Sequence, residues 1–336
     1  MNPAGPCANR RATMLTFITE EIVMRHAQNL IKALQVLARA EGNRTAAEGL
    51  AQSPDVQAMV KSIGSSTASI NGDLRVAYRE MLGLARRRSL IGKIEAVAGF
   101  RTLPFEVPAL EQDNAATVAF VAEGHPIPVT AQTFTSRELP RRKLSGIVPI
   151  TQELAAAMPA EQAFGRELTR AVAQGESSAF YSASAGSPAS PAGILAGVTA
   201  GTGTTNAADD IASLIDTFTG DLEGAVLLTS PRSGVKLAAV FDGTGARGGE
   251  VSGIGHVTSS AIPDDSVAII EPGRIMLADD GLEIDIAHDA TLLTQQGEEI
   301  APYNLWQNNL LAYRVTRWLN WHAAPGAVAY LNGTDW

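Results

Sequence analysis

Between Leu311 and Ala323 the chain alternates with a period of two. Leu311, Tyr313, Val315, Leu319 and Trp321 fall on one side, and Arg314, Thr316, Asn320 and His322 on the other. Arg317 interrupts the apolar side and Trp318 the polar one. A helix would scatter these residues around its axis, so the pattern predicts a long strand with one buried face. Such a strand must be covered by other elements, and the rest of the chain has to supply them.

Much of that material is helical. Ile18, Ile22, Leu30, Leu34 and Leu37 have the three-to-four spacing of one helix face over residues 15–40. A second helix is predicted over 45–63 and a third over 73–88 through Leu74, Ala77, Tyr78, Met81 and Leu82. Each has a single apolar stripe, which must pack on its neighbours or on a partner. After Leu90 the prolines at 104, 108, 126, 128 and 140 break the chain into short extended pieces. Strand-like residues occur at 103–107, 117–121 and 142–149, with a turn at Glu123–Pro126, so a long two-stranded excursion is expected. Thr151 is the expected N-cap of a helical region reaching Tyr181, with a break or fresh start at Pro159. Residues 182–206 are almost all Ser, Ala, Gly, Pro and Thr and read as a mobile loop. Helices at 207–219 and 231–240 and strands at 225–229, 256–259, 266–271, 274–277 and 282–287 complete a mixed α+β segment.

Charge narrows the possibilities. Only 18% of the 336 residues are charged, against roughly 25% in an ordinary soluble protein. A chain that hides much of its exterior against copies of itself tolerates such a deficit. The net charge of -9 is divided: residues 1–101 hold 14 Lys+Arg and 8 Asp+Glu, or +6, and the remainder 12 and 27, or -15. A basic arm beside an acidic body fits this split. Its sharpest cluster, Arg86, Arg87 and Arg88, is either a solvated helix end or a contact to another subunit or to nucleic acid. No stretch approaches the ~18 apolar residues of a membrane span, and the N-terminus lacks the apolar core of a signal peptide, so the chain reads as intracellular when made and without a membrane partner. Cys7 is the only cysteine and has no metal-ligand companions.

Catalytic patterns are absent. Gly243, Gly245 and Gly248 match G-x-G-x-x-G, but a helix precedes them and Gly249, Gly253 and Gly255 follow. A dinucleotide site needs a strand before the turn and a helix after it, so a flexible loop is the better reading. The histidines at 26, 125, 256, 288 and 322 have no ligand spacing, and neither a nucleophile elbow nor a phosphate loop occurs. The acidic pairs Asp209/Asp210, Asp264/Asp265, Asp279/Asp280 and Glu298/Glu299 read as helix starts and turns. No cofactor, no metal and no enzyme activity is expected.

The order of parts, with the wording at three places, resembles the major capsid protein of tailed double-stranded DNA bacteriophages, the Hong Kong 97-type fold. One place runs from Ala119 through Phe120-Val121-Ala122-Glu123-Gly124 and Ile127-Pro128 to Phe134, then Lys143-Leu144 and Ile150-Thr151-Gln152-Glu153-Leu154. It is similar to the family's extended loop returning to its spine helix. Another is Asn308 to Leu331, with Arg314, Arg317, Pro325, Gly326 and Ala327, similar to the final strand and closing apolar stretch. Pro191-Ala192-Gly193-Ile194-Leu195 resembles the segment after the spine helix. The likeness covers roughly residues 89–332; the leader is matched only in position.

The resemblance implies an α+β phage major capsid fold: an N-terminal helical arm (1–100), an extended β-hairpin loop (101–145), a peripheral domain with a long spine helix (146–183) and long β-strands (301–336), and an axial mixed α/β domain (184–300). It implies a structural protein that self-assembles into pentamers and hexamers of an icosahedral shell around double-stranded DNA held without sequence readout. Portal, scaffolding and decoration proteins are the further implied partners, and the virion is the implied location. Inter-subunit contacts are expected at Glu123, Arg137, Arg141, Arg142, Lys143 and Arg86–Arg88, and a capsomer-axis loop at Gly243, Gly245, Gly248 and Gly249. If these bases are merely solvated they contribute under ~1 kcal/mol each; reversing Arg141 and Arg142 to Glu is expected to impair the shell. Some members join subunits through a loop lysine and an asparagine; Val121 to Thr130 contains no lysine, so no such crosslink is expected even though Asn308 falls near the asparagine's place. The leader is expected to be a retained arm on the inner surface, and its deletion (residues 1–70) to abolish assembly. An encapsulin-type nanocompartment shell is the nearest alternative, and a cytosolic hydrolase or dehydrogenase the alternative from another class.

Overall fold

The computed structural model describes residues 29, 32–33, 36–37, 40, 44–51, 53–62, 83, 85–112, 118–123, 125, 127, 129–130, 133–153, 160–287, 289–296 and 299–336. Most of the first and third predicted helices lies outside them, as do Pro159, His26 and His288. In chain order the elements are α1 (Arg44–Leu50), α2 (Pro54–Ser62), α3 (Leu90–Glu95), β1 (Arg101–Thr102), β2 (Ala109–Gln112), β3 (Phe134–Arg137), β4 (Lys143–Thr151), α4 (Ala160–Phe180), β5 (Gly201–Thr202) and α5 (Ala207–Thr217). They continue with β6 (Val226–Thr229), α6 (Pro231–Leu237), β7 (Gly249–Val251), β8 (Ile254–Thr258), β9 (Ser266–Ile270), β10 (Ile275–Ala287), β11 (Thr291–Gln296), β12 (Glu299–Asn304), β13 (Leu310–Ala323) and β14 (Val328–Asn332).

The chain divides into two units. The first takes Met1–Ser89, Leu144–Gly175 and Gly281–Arg317. Its core joins Leu168 and Val172 of α4, Leu282 and Ile284 of β10, and Leu311, Tyr313 and Val315 of β13. Ala33, Leu37, Ala47, Val56 and Val60 of the leader belong to the same core. The expected single helix over 45–63 is two. Pro54 lacks the N–H an uninterrupted helix needs and instead starts α2, where Ser53 Oγ accepts from Val56 N.

The second unit takes Leu90–Lys143, Glu176–Asp280 and Trp318–Trp336. Its six-stranded sheet has the order β5-β14-β9-β6-β8-β7, with β6 parallel to β8 and antiparallel to β9. β6 and β9 are buried at every position, which is why they show no alternation. Ile211 and Leu214 of α5 and Leu237 of α6 pack on Leu227, Val267 and Ile269. Asn206 caps α5 by accepting from Ala208 N, and the buried Asp210 carboxylate accepts from Thr204 N and Trp336 Nε1. β14 enters this sheet beside β9, so the 301–336 segment splits between β13 and the mixed sheet.

Several boundaries differ from the expectation. The strand predicted at 103–107 is a bend: Glu106 has φ 60° and donates its N–H to Leu139 O, while Pro104 and Pro108 have no N–H to offer a ladder. Residues 118–122 form no strand. Thr151 is the last residue of β4 and the helical residues Gln152 and Glu153 follow it directly; α4 starts afresh at Ala160, after the expected break at Pro159. The strands expected at 274–277 and 282–287 are one, β10, which carries Gly281 at φ +109° through Asp279-Asp280-Gly281. The 182–206 segment is pinned: Ile194 and Leu195 are buried, and Ile194 N and Leu195 N bond Phe180 O and Ser182 O. The alternating strand at 310–323 is covered on more than one side, with Ala312, Thr316 and Asn320 buried as well as Leu311 and Tyr313.

Candidate assembly surfaces

β2 and β3 pair antiparallel, Ala109 opposite Arg137 and Gln112 opposite Phe134. They are the root of the excursion expected from the prolines. Its outer part bends at Glu123, where His125 N bonds Ala122 O. Glu123 is exposed and has no ion pair among the described residues. Around it stand Val118, Phe120, Ile127 and Val129, exposed by 91, 110, 76 and 94%. None of the described residues covers these side chains. Turns and charges do not point to them; the signal available in the sequence is the recurrence of large apolar residues, Val118, Phe120, Ile127 and Val129, through a proline-broken stretch.

The bases at the root do not behave alike. Arg137 Nε lies 3.6 Å from Glu111 Oε2, and His322 Nε2 lies 3.5 Å from the same oxygen. At such a distance Arg137–Glu111 is a charge contact, His322 carries a charge only when protonated, and neither Glu111 Oε2 nor His322 Nε2 has a hydrogen bond. Burial pushes the His322 pKa down, with Arg137 adding to the effect and Glu111 opposing it. Arg141 pairs with Asp280 at 2.9 Å and lies 5.4 Å above the ring of Phe105. Arg142 has no ion pair among the described residues, and its Nε is buried without a hydrogen bond. Lys143 is exposed and has no ion pair among the described residues. Arg86 ends a helical turn, Arg87 and Arg88 are exposed beyond it, and Ser89 Oγ donates to Arg86 O.

The glycine segment is ordered, contrary to the flexible loop expected of it. Glu250 N bonds Gly243 O, Gly248 N bonds Gly245 O, and Thr258 Oγ1 donates to Ala246 O. Gly248 has φ +87°, and a Cβ there would come within 2.3 Å of His256 O. His256 is the peg that holds the segment. Thr229 Oγ1 gives its hydrogen to Ser230 O, so it accepts from His256 Nε2 at 2.7 Å. Nδ1 is then the bare nitrogen and accepts from the hydroxyl of Thr244, inside the glycine segment. Burial pushes the His256 pKa down to about 4, which keeps the ring neutral at pH 7. The motif scan gave no sign of this role because the partners of His256 are hydroxyls far apart in sequence.

Two other features also escaped the sequence reading. Arg317, which breaks the apolar side of β13, is 1% exposed and donates from a terminal guanidinium nitrogen to Gly281 O at 3.4 Å. The β11–β12 hairpin, with Leu292 opposite Tyr303, presents Leu293 outward, and Trp306 beyond it is 75% exposed. Among the described residues no group of three or more His, Cys, Asp or Glu is placed to hold a metal ion, and no helix is long and apolar enough to cross a membrane.

A long helix, long strands, a mixed sheet and a hairpin with exposed apolar side chains are the parts of a building block. The Phage capsid family matches residues 79–251, and the chain belongs to that family, which is one of structural proteins. It is 26% identical over 316 residues to the capsid polyprotein of Pseudomonas phage PAJU2, covering 84% of this chain and 47% of that protein. The chain therefore spans about half the length of that curated relative. Among solved structures it is similar to the capsid of a native GTA particle at 12% identity and TM-score 0.50, covering 72% of this chain and 90% of the other. The corresponding values for Mycobacterium phage Adephagia are 13%, 0.50, 73% and 90%, and for Gordonia phage Cozz 13%, 0.50, 71% and 85%. These likenesses establish a shared mixed α/β fold.

Proposed function

We propose that the chain is the subunit of an icosahedral phage head, whose copies gather into pentamers and hexamers and close around double-stranded DNA. The observation that carries this reading is the hairpin extension, where Val118, Phe120, Ile127 and Val129 stand in solvent on a root fixed by β2 and β3. Apolar groups displayed together this far from any core of their own are binding surface for another chain. In a symmetric shell one such contact is repeated by every copy, and many modest contacts close the particle. On this reading α4 and the long strands form the peripheral domain. The six-stranded sheet forms the axial domain, with the Gly243–Gly249 segment near the capsomer axis. The absence of lysine from Val121 to Thr130 leaves the contacts non-covalent. Portal, scaffolding and decoration proteins complete the partners.

The test is electron microscopy of the expressed chain together with a Phe120→Asp, Val129→Asp variant. Because both side chains are free of their own chain, the variant should keep the thermal melt of the parent yet form no shells. Closed shells from the variant, or a small uniform oligomer from the parent, would refute the proposal.

A further inference from the structure

A cleft of about 540 Å³ opens beside the root of the hairpin. Arg137, Glu138 and Arg142 line one part of it, Ser187 and Ser190 another, and Trp321 lies at its base. The serine wall is rigid. Ser187 N bonds Ser190 O at 2.9 Å, Ser190 N returns to Ser187 Oγ at 3.0 Å, and Trp321 Nε1 donates to Ala192 O at 2.7 Å. The guanidinium of Arg137 already faces Glu111. Arg142 is different: among the described residues it has no acidic partner, and its Nε is buried with no hydrogen-bond acceptor. A buried donor left without an acceptor is costly, and a guanidinium is satisfied best by a carboxylate.

Resting on the shell reading above, we infer that this cleft receives an aspartate or glutamate side chain of a second copy of the chain, with Arg142 as its partner. Two observations favour a protein carboxylate over a DNA phosphate. Glu111 and Glu138 face the same neighbourhood and match the two arginines in charge, so a polyanionic backbone gains little there while a single carboxylate aimed at Arg142 gains fully. The other reason is supply: beyond residue 101 the chain carries 27 acids against 12 bases, so each copy offers its neighbours an excess of carboxylates.

Arg142→Glu and Arg142→Lys chains are compared with the parent for shell yield at equal concentration. The backbone carbonyl of Arg142, which accepts from Leu319 N, is untouched by either change. Arg142→Glu should lower the yield at least about tenfold, the size of a lost charge-assisted contact, and Arg142→Lys should largely restore it. A second measurement holds even where Arg142→Glu does not fold. Shells of mixed ¹⁴N- and ¹⁵N-labelled Arg142→Lys chains are treated with a carbodiimide, which activates a carboxylate; the introduced amine displaces the activated oxygen and forms an amide. Mass spectrometry should find position 142 joined to Asp or Glu of a differently labelled copy. Amides within one chain only, or attachment of the cleft to DNA, overturn the inference, as does parental yield from Arg142→Glu. That last result would leave the shell reading intact, whereas a parent chain that never oligomerises overturns both.

Discussion

Acidification tests the description of the glycine segment, because His256 is buried neutral and held by two hydroxyls. Its pKa falls from 6.5 in the free side chain to about 4 in the fold, through desolvation. The unfolded chain therefore takes up a proton as the pH drops below about 6.5, and the folded chain does so only near 4. Stability contributed by the neutral ring is complete above pH 6.5 and is lost progressively down to about 4, after which the loss levels off. At 1.36 kcal/mol per unit, the gap bounds the loss at about 3 kcal/mol. Many carboxylates titrate over the same range, so the experiment needs a reference chain without the imidazole. His256→Gln keeps a donor and an acceptor but cannot titrate. Urea unfolding followed by tryptophan fluorescence at pH 7, 5.5 and 4 should show the parent losing up to about 3 kcal/mol more than His256→Gln. Parallel losses in the two chains would refute a neutral buried histidine at this place.

Other substitutions probe neighbouring claims. Gly248→Ala should destabilise by about 2 kcal/mol or more in the same unfolding assay, since its Cβ would meet His256 O under a positive φ. Gly245→Ala, with open space around its Cβ, should stay within about 0.5 kcal/mol of the parent; equal effects at the two positions would disprove an ordered segment. Arg317→Ala empties a site that is 1% exposed and removes the donor to Gly281 O, at a cost of about 3 kcal/mol, and an unchanged urea midpoint would contradict it.

What the sequence made legible follows from how local each signal is. The long strand at 310–323, the capped helix after Asn206 and the Ser230–Pro231 helix start are written in neighbouring residues, and they stand within a few positions of expectation. Strand placement in the hairpin was misread because prolines mark breaks without saying on which side of them the ladder forms. Asp279-Asp280-Gly281 looked like a turn by composition, yet Arg141 takes up Asp280 and Arg317 bonds Gly281 O, so the strand runs through. Both partners are remote in sequence, and no local pattern announces them. The site residues divided in the same way. The basic cluster at 137–143 is visible as charge, but only the fold separates Arg137 and Arg141, which have acids of their own chain, from Arg142, which has none among the described residues.

That separation assigns different work to charge and to apolar area. An exposed ion pair such as Arg141–Asp280 contributes at most about 1 kcal/mol, and the Arg137 pair with the buried Glu111 is already made within the chain, so both can steady the root of the extension and neither is free to bind a neighbour. Burying one large apolar side chain contributes about 1.5–3 kcal/mol, and the extension presents four such residues in Val118, Phe120, Ile127 and Val129. On the proposed shell reading, affinity between copies resides mainly in the apolar tip. On the same reading Arg142 governs which alignment of two copies leaves no buried charge alone. A shell needs both properties. Apolar contact alone would join subunits in many registers, and a penalty for the wrong register selects the one that closes. The low charge content of the chain is consistent with this division, because few charges suffice to select a register when area supplies the attraction.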